Sequence, residues 1–321
     1  ATVGPATLTF TSANWSTPQT VTVTGVNDVV ADGNQTTTLT VAVDDANSSN
    51  EFDPVADATI SATTVDNDTA GITIAESGGT TSVNESGTTD TFTVVLTAQP
   101  TSNVVLTVTS GDTGEATVSP ATLTFTSGNW SSPQTVTVTG VNDALADGNQ
   151  VTTLTVAVDD ASSSNEFDPV ADQTVSATTV DNDTAGITVT ESGGTTSVNE
   201  SGTTDTVTVV LTAQPAWDVT LTVTSGDVGE ATVSPATLTF TPANWSTPQT
   251  VTVTGVDDTL ADGNQVTAIT VSVDDASSSN EFDGVTDQTV NVTTADDDAA
   301  GVTVSAISGS TTEAGGSATF T

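Results

Sequence analysis

Carboxylates are the only strongly ligating side chains in this sequence, and they recur in a fixed pattern. The 321 residues include 41 Asp and Glu but no Lys, Arg, His, Cys, Met or Tyr, for a net charge of -41. Asp66-Asn67-Asp68 returns as Asp181-Asn182-Asp183 and again as Asp296-Asp297-Asp298. Carboxylates crowded into one place repel each other unless a cation sits between them. Hard oxygen ligands from flexible loops suit Ca²⁺ better than Mg²⁺, and zinc would want His or Cys. Calcium is therefore the expected cofactor.

The same composition excludes much else. Nucleic acid needs Lys and Arg on its phosphates, and an anionic membrane surface is ruled out by the same sign argument. Without His, Cys, Lys or Tyr the usual general bases and nucleophiles are missing, which leaves a carboxylate-pair glycosidase as the one common enzyme class open. It would need the same site in every repeat and has no aromatic-lined cleft, so no enzyme is expected. No disulfide and no Lys–Asn isopeptide cross-link can form. No run approaches 18 apolar residues and no basic stretch precedes an apolar one, so neither a membrane span nor a signal peptide is expected within these residues, and any targeting signal would lie outside them. The 34% hydrophobic content could suggest disorder. The apolar residues alternate with Thr and Ser in short runs, however, which reads as ordered β structure.

The elements that must position the carboxylates follow from an internal repeat of 115 residues. Asn14-Trp15-Ser16 recurs at 129–131 and 244–246, Gly71 at Gly186 and Gly301, and Asn-Glu-Phe-Asp at 50–53, 165–168 and 280–283. A period of that length is domain-sized. The expected division is 1–69 (a repeat lacking its start), 70–184 and 185–299 (complete), and 300–321 (the start of a fourth). In residues 70–184, strands are expected at 71–75 with 82–84, then at 91–97, 104–109, 122–126, 135–141, 152–158 and 174–180. About seven short strands between Gly, Pro, Asn and Asp turns give tandem immunoglobulin-like antiparallel β-sandwiches, an all-β fold. The sequence reads as an excerpt of a longer array. Strand donation from residues 301–321 to the incomplete repeat of a neighbouring molecule is the alternative.

Antiparallel topology places the acids. Glu85, Asp112, Glu115, Asp143, Asp147, Asp181 and Asp183 all map to the C-terminal pole of their sandwich. Asp159, Asp160, Glu166 and Asp168 map to the opposite pole, where they would face the preceding repeat. A lone Asp or Asn in such loops is ordinary turn chemistry. The convergence of separate loops on one pole in each repeat favours a ligand set.

Each repeat resembles, almost end to end, the Calx-beta domains of sodium–calcium exchangers and large bacterial surface proteins. The likeness lies in Val83-Asn84-Glu85-Ser86-Gly87, in Val141-Asn142-Asp143 with Ala146-Asp147-Gly148-Asn149, and in Asp181-Asn182-Asp183-Thr184-Ala185-Gly186. Segments such as Gly114-Glu115-Ala116-Thr117-Val118-Ser119-Pro120 and Asn129-Trp130 look like the bacterial members. The resemblance implies calcium ligands at Glu85, Asp112, Asp143, Asp147, Asp181 and Asp183. By the internal repeat it implies Glu200, Asp227, Asp258, Asp262, Asp296 and Asp298 in the next unit, and Asp28, Asp32, Asp66 and Asp68 in the first. Asn142 and Asn149 dilute the acidic run that exchanger domains carry, which implies fewer or weaker ions suited to extracellular calcium.

Trp15, Trp130 and Trp245, beside Pro18, Pro133 and Pro248, are expected to plug a pole of the sandwich. Trp217 departs from the repeat, since Ser102 holds the equivalent place, and could be a junction contact or a partner anchor. Ladders such as Thr20-Val21-Thr22-Val23-Thr24 resemble ice-binding faces but are ordinary outward strand positions. The Asn-x-Ser/Thr sequons at Asn14, Asn84, Asn129 and Asn199 are common in a chain so rich in Ser and Thr. A halophile's acidic surface would spread acids over all faces, whereas the strand centres here are almost free of them. The expected function is a calcium-stiffened stalk or filament segment of an extracellular, microbial cell-surface or adhesin protein. Its partners would be neighbouring repeats and identical chains in a filament or bundle. The alternatives are a calcium-dependent adhesive module for glycans or neighbouring cells, and a strand-donating filament subunit.

Overall fold

In the computed structural model, which describes residues 1–321, the chain is built from strands and single 3-10 turns. Contacts divide it into two units, residues 1–143 with 149–180 and residues 144–148 with 181–321. No helix is long and apolar enough to cross a membrane.

In the first unit, β1 (Thr2–Gly4) pairs with β2 (Thr22–Thr24) and β3 (Gln35–Val41) pairs with β4 (Ala58–Thr64). These are two-stranded sheets only, and Phe10, Phe52 and Ile60 stay exposed beside them. The rest of the unit is a closed sandwich. Its strands are β5 (Ile72–Glu76), β6 (Thr81–Asn84), β7 (Thr89–Leu96), β8 (Val104–Ser110), β9 (Ala116–Ser119), β10 (Thr122–Phe125), β11 (Gln134–Gly140), β12 (Gln150–Val158) and β13 (Gln173–Val180). One sheet has the order β5-β7-β11-β9 and the other β10-β8-β12-β13-β6. The second unit repeats this with β14 (Ile187–Glu191), β15 (Thr196–Asn199), β16 (Thr204–Leu211), β17 (Val219–Ser225), β18 (Ala231–Ser234), β19 (Thr237–Phe240), β20 (Gln249–Gly255), β21 (Gln265–Val273) and β22 (Gln288–Ala295), in orders β14-β16-β20-β18 and β15-β22-β21-β17-β19.

Strict alternation builds each core. In Thr122-Leu123-Thr124-Phe125 the threonines are exposed and Leu123 and Phe125 are buried, as a sheet with one wet face requires. Phe92, Phe125 and Phe167 fill one sandwich and Phe240 and Phe282 the other, all fully enclosed. Each such side chain contributes about 1.5–3 kcal/mol by leaving water.

Two features go beyond the sequence expectation. Ala116–Ser119 is a further strand, β9, and it pairs with β11 while β10 joins β8 in the opposite sheet. Chain that reads as loop thus supplies the edge strand of one sheet. The first strand also splits. β5 stays antiparallel to β7, but β6 crosses over and pairs parallel to β13, from Thr81 opposite Ala177 to Asn84 opposite Val180. That parallel pair gives an otherwise antiparallel sandwich its acidic end, because the residues after β6 and β13 emerge together.

The crossing strand needs a glycine against it. At Gly140, the last residue of β11, a Cβ would fall 2.1 Å from the carbonyl oxygen of Asn84. At Gly255 it would fall 2.1 Å from that of Asn199. The obstruction is backbone, so it cannot swing aside. Gly255→Ala should therefore destabilise the second unit by about 1–3 kcal/mol, the usual range for overpacking. Urea unfolding followed by Trp fluorescence measures this, and an unchanged midpoint would show that β15 gives way freely.

Candidate metal centre

The acidic end is most completely described in the second unit. Asn199 pairs with Ala295 across β15 and β22, and the Glu200 N–H donates to Ala295 O at 3.1 Å. Glu200 and Asp296 therefore leave adjacent strand ends side by side. Glu200 is only 2% exposed. The Asp297 N–H donates to its Oε2 at 3.3 Å. Carboxylate oxygens of Glu200, Asp297 and Asp298 all lie within 4.8 Å of one another. Two oxygens bound to one Ca²⁺ at typical distances can be at most about 4.8 Å apart, so these three fit a shared ion.

Asp296 does a different job. Its Oδ2 accepts the Gly263 N–H at 2.6 Å and its Oδ1 accepts the Asp298 N–H at 2.8 Å. It clasps the loop 256–264 to the end of β22 and turns Asp298 back towards Glu200. Gly263 has φ of +82°, a left-handed conformation that suits glycine and explains the Ala-Asp-Gly-Asn sequence there. In the first unit Asp66 clasps Gly33 at 2.7 Å and Asp68 at 2.8 Å, and the Asp68 and Gly33 N–H groups hold its carboxyl below the ordinary range. Asp181 likewise clasps Gly148 and Asp183.

Glu230 is pinned between the sheets. Its carbonyl accepts the Val256 N–H at 2.9 Å and the Thr294 hydroxyl at 3.2 Å. Its Oε2 is buried with no hydrogen-bond partner. Burial pushes this carboxyl up, and Asp262, Asp258, Asp227 and Asp296 add to the effect. Glu200 is raised mainly by burial, then by Asp296, Asp258 and Asp297, against the Asp297 N–H. Asp298 is raised by burial and by Asp296, Asp297, Asp257 and Asp258. A buried anionic oxygen without a donor, surrounded by like charge, is an arrangement that a hard cation relieves. The donor set is all oxygen and fits Ca²⁺ rather than a softer metal.

All six positions expected as ligands in this unit reach the same end, since Glu200, Asp227, Asp258, Asp262, Asp296 and Asp298 are among the groups just named. Asp227 and Asp258 also close local turns, accepting the Gly229 N–H at 2.8 Å and the Leu260 N–H at 2.6 Å. Asp181, Asp183 and the exposed Asp147 belong to this unit too. In the first unit Glu85 is 1% exposed and its N–H donates to Val180 O at 3.2 Å. Asp112 accepts the Gly114 N–H at 2.8 Å, Asp28 accepts the Val30 N–H at 3.0 Å, and Asp143 is half-buried. Asp32 and Asp68 stand beside the clasp made by Asp66. Two residues outside the expected ligand set matter most. Asp297 escaped because its counterparts are Asn67 and Asn182. Glu230 is the counterpart of Glu115, which the loop argument placed at this pole.

At the opposite pole the acids are satisfied. Glu166 accepts the Thr101 N–H and hydroxyl, both at 2.7 Å, and the Ser164 hydroxyl at 2.6 Å. Burial pushes Glu166 up, yet these donors hold it below the ordinary range, and Glu281 behaves likewise. Phe167 and Phe282 sit fully buried beneath these latches. Trp130 and Trp245 pack against their cores as plugs, whereas Trp15 and Trp217 are 72% and 75% exposed.

No protein-family profile matches the chain, and no curated protein matches it. Among solved structures, the chain is similar to CBD12 from CALX1.2, at 12% identity over 62% of this chain and 79% of that one, TM-score 0.26. It is similar to the apo-form Calx CBD1 domain at 17% identity over 35% of this chain and 98% of that one, TM-score 0.26. It is also similar to the surface layer protein SbsC, domains 1–6, at 17% identity over 78% of this chain and 31% of that one, TM-score 0.29.

The raised carboxyls have a consequence for stability without metal. Glu200, Glu230 and Asp298 bind protons more readily folded than unfolded, so stability should rise as pH falls from neutral towards the ordinary carboxylate range. Asp66, Asp90, Asp205, Glu166 and Glu281 are lowered, and their contribution is lost as pH falls further, through their folded values. Thermal midpoints in chelator should peak at mildly acidic pH, and Glu230→Gln should raise the neutral-pH midpoint and flatten the rise. A midpoint that falls steadily from pH 7 downwards would contradict this arrangement.

Proposed function

We propose that this chain is a non-catalytic structural segment of an extracellular, microbial-surface protein, a stalk or filament stiffened by Ca²⁺ at the acidic end of each repeat. The observation that carries this reading is the unpartnered, buried Oε2 of Glu230 among converging carboxylates, in a sequence with no cationic side chain to answer it. Glu200, Asp297 and Asp298 would hold the ion, with Glu230, Asp258 and Asp262 as further oxygen donors at the same end. By the internal repeat, Glu85 and Asp143 have the corresponding roles in the first unit. A bound ion would neutralise the pole and fix the loops that carry the acids, which turns flexible repeats into a rod. Its partners are then neighbouring repeats and identical chains.

Trp217 supports a second reading, a calcium-dependent adhesive module. It is 75% exposed beside Pro242 and the hydroxyl-bearing residues 277–279, an aromatic platform of the kind that stacks on sugars. Glycan binding abolished by Trp217→Ala would favour this reading.

Small-angle scattering of the chain, titrated with Ca²⁺ against Mg²⁺ at fixed ionic strength, tests the stalk. Lengthening and stiffening are expected at sub-millimolar to millimolar Ca²⁺, reversed by chelator and reduced in Glu200→Gln with Asp298→Asn. A profile indifferent to Ca²⁺ would leave the acids as turn and solubility residues and the chain as a passive spacer.

A further inference from the structure

The loop 26–34 carries Asp28 and Asp32, and its backbone also pairs with a distant glutamine. The Gln99 N–H donates to Val29 O at 2.8 Å, the Ala31 N–H donates to Gln99 O at 3.1 Å, and Val30 forms a parallel bridge with Gln99. Ala31 is buried at 4% exposure. The same three features recur in the second unit. The Gln214 N–H donates to Ala144 O at 2.7 Å, the Ala146 N–H donates to Gln214 O at 3.3 Å, and Leu145 bridges Gln214.

The receiving side is built for this. Ala98 and Pro100 are buried on either side of Gln99, and Ala213 and Pro215 on either side of Gln214, so each glutamine presents both of its backbone groups outward. The Gln99 side chain fixes the receiving turn itself by donating to Ser127 O at 2.8 Å. The third loop, Val256-Asp257-Asp258-Thr259-Leu260-Ala261-Asp262-Gly263-Asn264, closely repeats Val141–Asn149. It meets no such glutamine, and its Leu260 is 61% exposed where Val30 and Leu145 are half-buried.

We infer that Ala98-Gln99-Pro100 and Ala213-Gln214-Pro215 are docking receptors for the acid-bearing loop of the adjoining repeat, and that docking and cation binding are one coupled equilibrium. The coupling rests on the cation reading above, and the docking does not. The docked backbone, Val29 to Ala31, is strung between carboxylates. Asp28 holds the Val30 N–H at 3.0 Å and Asp66 holds the Gly33 N–H at 2.7 Å. Repulsion among these acids loosens the loop that must dock, and a cation among them orders it. Ordering done by one partner is not required again of the other, so each tightens the other by the same factor.

Amide hydrogen exchange on the whole chain, in Ca²⁺ and in chelator, tests this. The amides of Ala31, Gln99, Ala146 and Gln214 should exchange about tenfold or more slowly in Ca²⁺ than in chelator. Those of Leu260 and Ala261 should stay fast. Gln99→Pro and Ala31→Pro remove the two donors of one bridge from opposite sides. Each should release protection at that bridge alone, with the Gln214 bridge as the internal record that the chain has folded. Exchange at the four amides as fast as at Leu260 would overturn the docking. Slow exchange that ignores Ca²⁺ would overturn the coupling, and calorimetry on the same sample would then show whether Ca²⁺ binding itself had failed.

Discussion

Every carboxylate in this protein must be answered by something other than a cationic side chain. With 41 acids and no Lys, Arg or His, the available partners are backbone N–H groups, hydroxyls, water and ions. Most of the local structure follows from which acids find donors. Asp90 takes the Ser82 N–H and the Ser77 hydroxyl and pins the crossover between β5 and β6. Asp205 repeats this with Ser192 and Ser197. Hydrogen bonds to a charged acceptor are worth about 1.5–3 kcal/mol each, enough to hold a loop in one geometry. Serine and threonine thus act here as the substitute for basic residues.

The parts legible in the sequence are those set by short-range periodicity. The Thr-Val alternation fixes which face of each strand is wet, and the 115-residue recurrence makes every strand visible more than once. The polar ends were legible for the same reason, since antiparallel order assigns alternate loops to alternate ends. What escaped depends on partners far along the chain. β9 is four residues long and becomes a strand only because β11 lies beside it. The parallel pairing of β6 with β13 joins residues about a hundred positions apart, and no local pattern announces it. Asp66 and Asp296 carry no mark in the sequence of being clasps, because the glycines they hold sit 33 residues upstream. Repetition also concealed as well as revealed. Trp15 and Trp130 share a motif, yet one is exposed and the other plugs a core, because the strands that would enclose Trp15 are absent from residues 1–69.

The two poles of a sandwich are therefore unequal. At one, a buried phenylalanine closes the core and a glutamate with several donors latches the loops over it, as Phe282 and Glu281 do in the second unit. That end is complete in itself. At the other, as in the second unit, the aspartate clasp is formed but Glu230 keeps a buried oxygen with no donor. The core beneath it is enclosed by both sheets, so the deficit is confined to the acidic end. A repeat with one finished end and one unfinished end has a direction. The unfinished end also carries the loop whose backbone pairs with Gln99 or Gln214, so one loop bears both the excess charge and the free strand edge. Relieving the charge and filling the edge act on the same few residues.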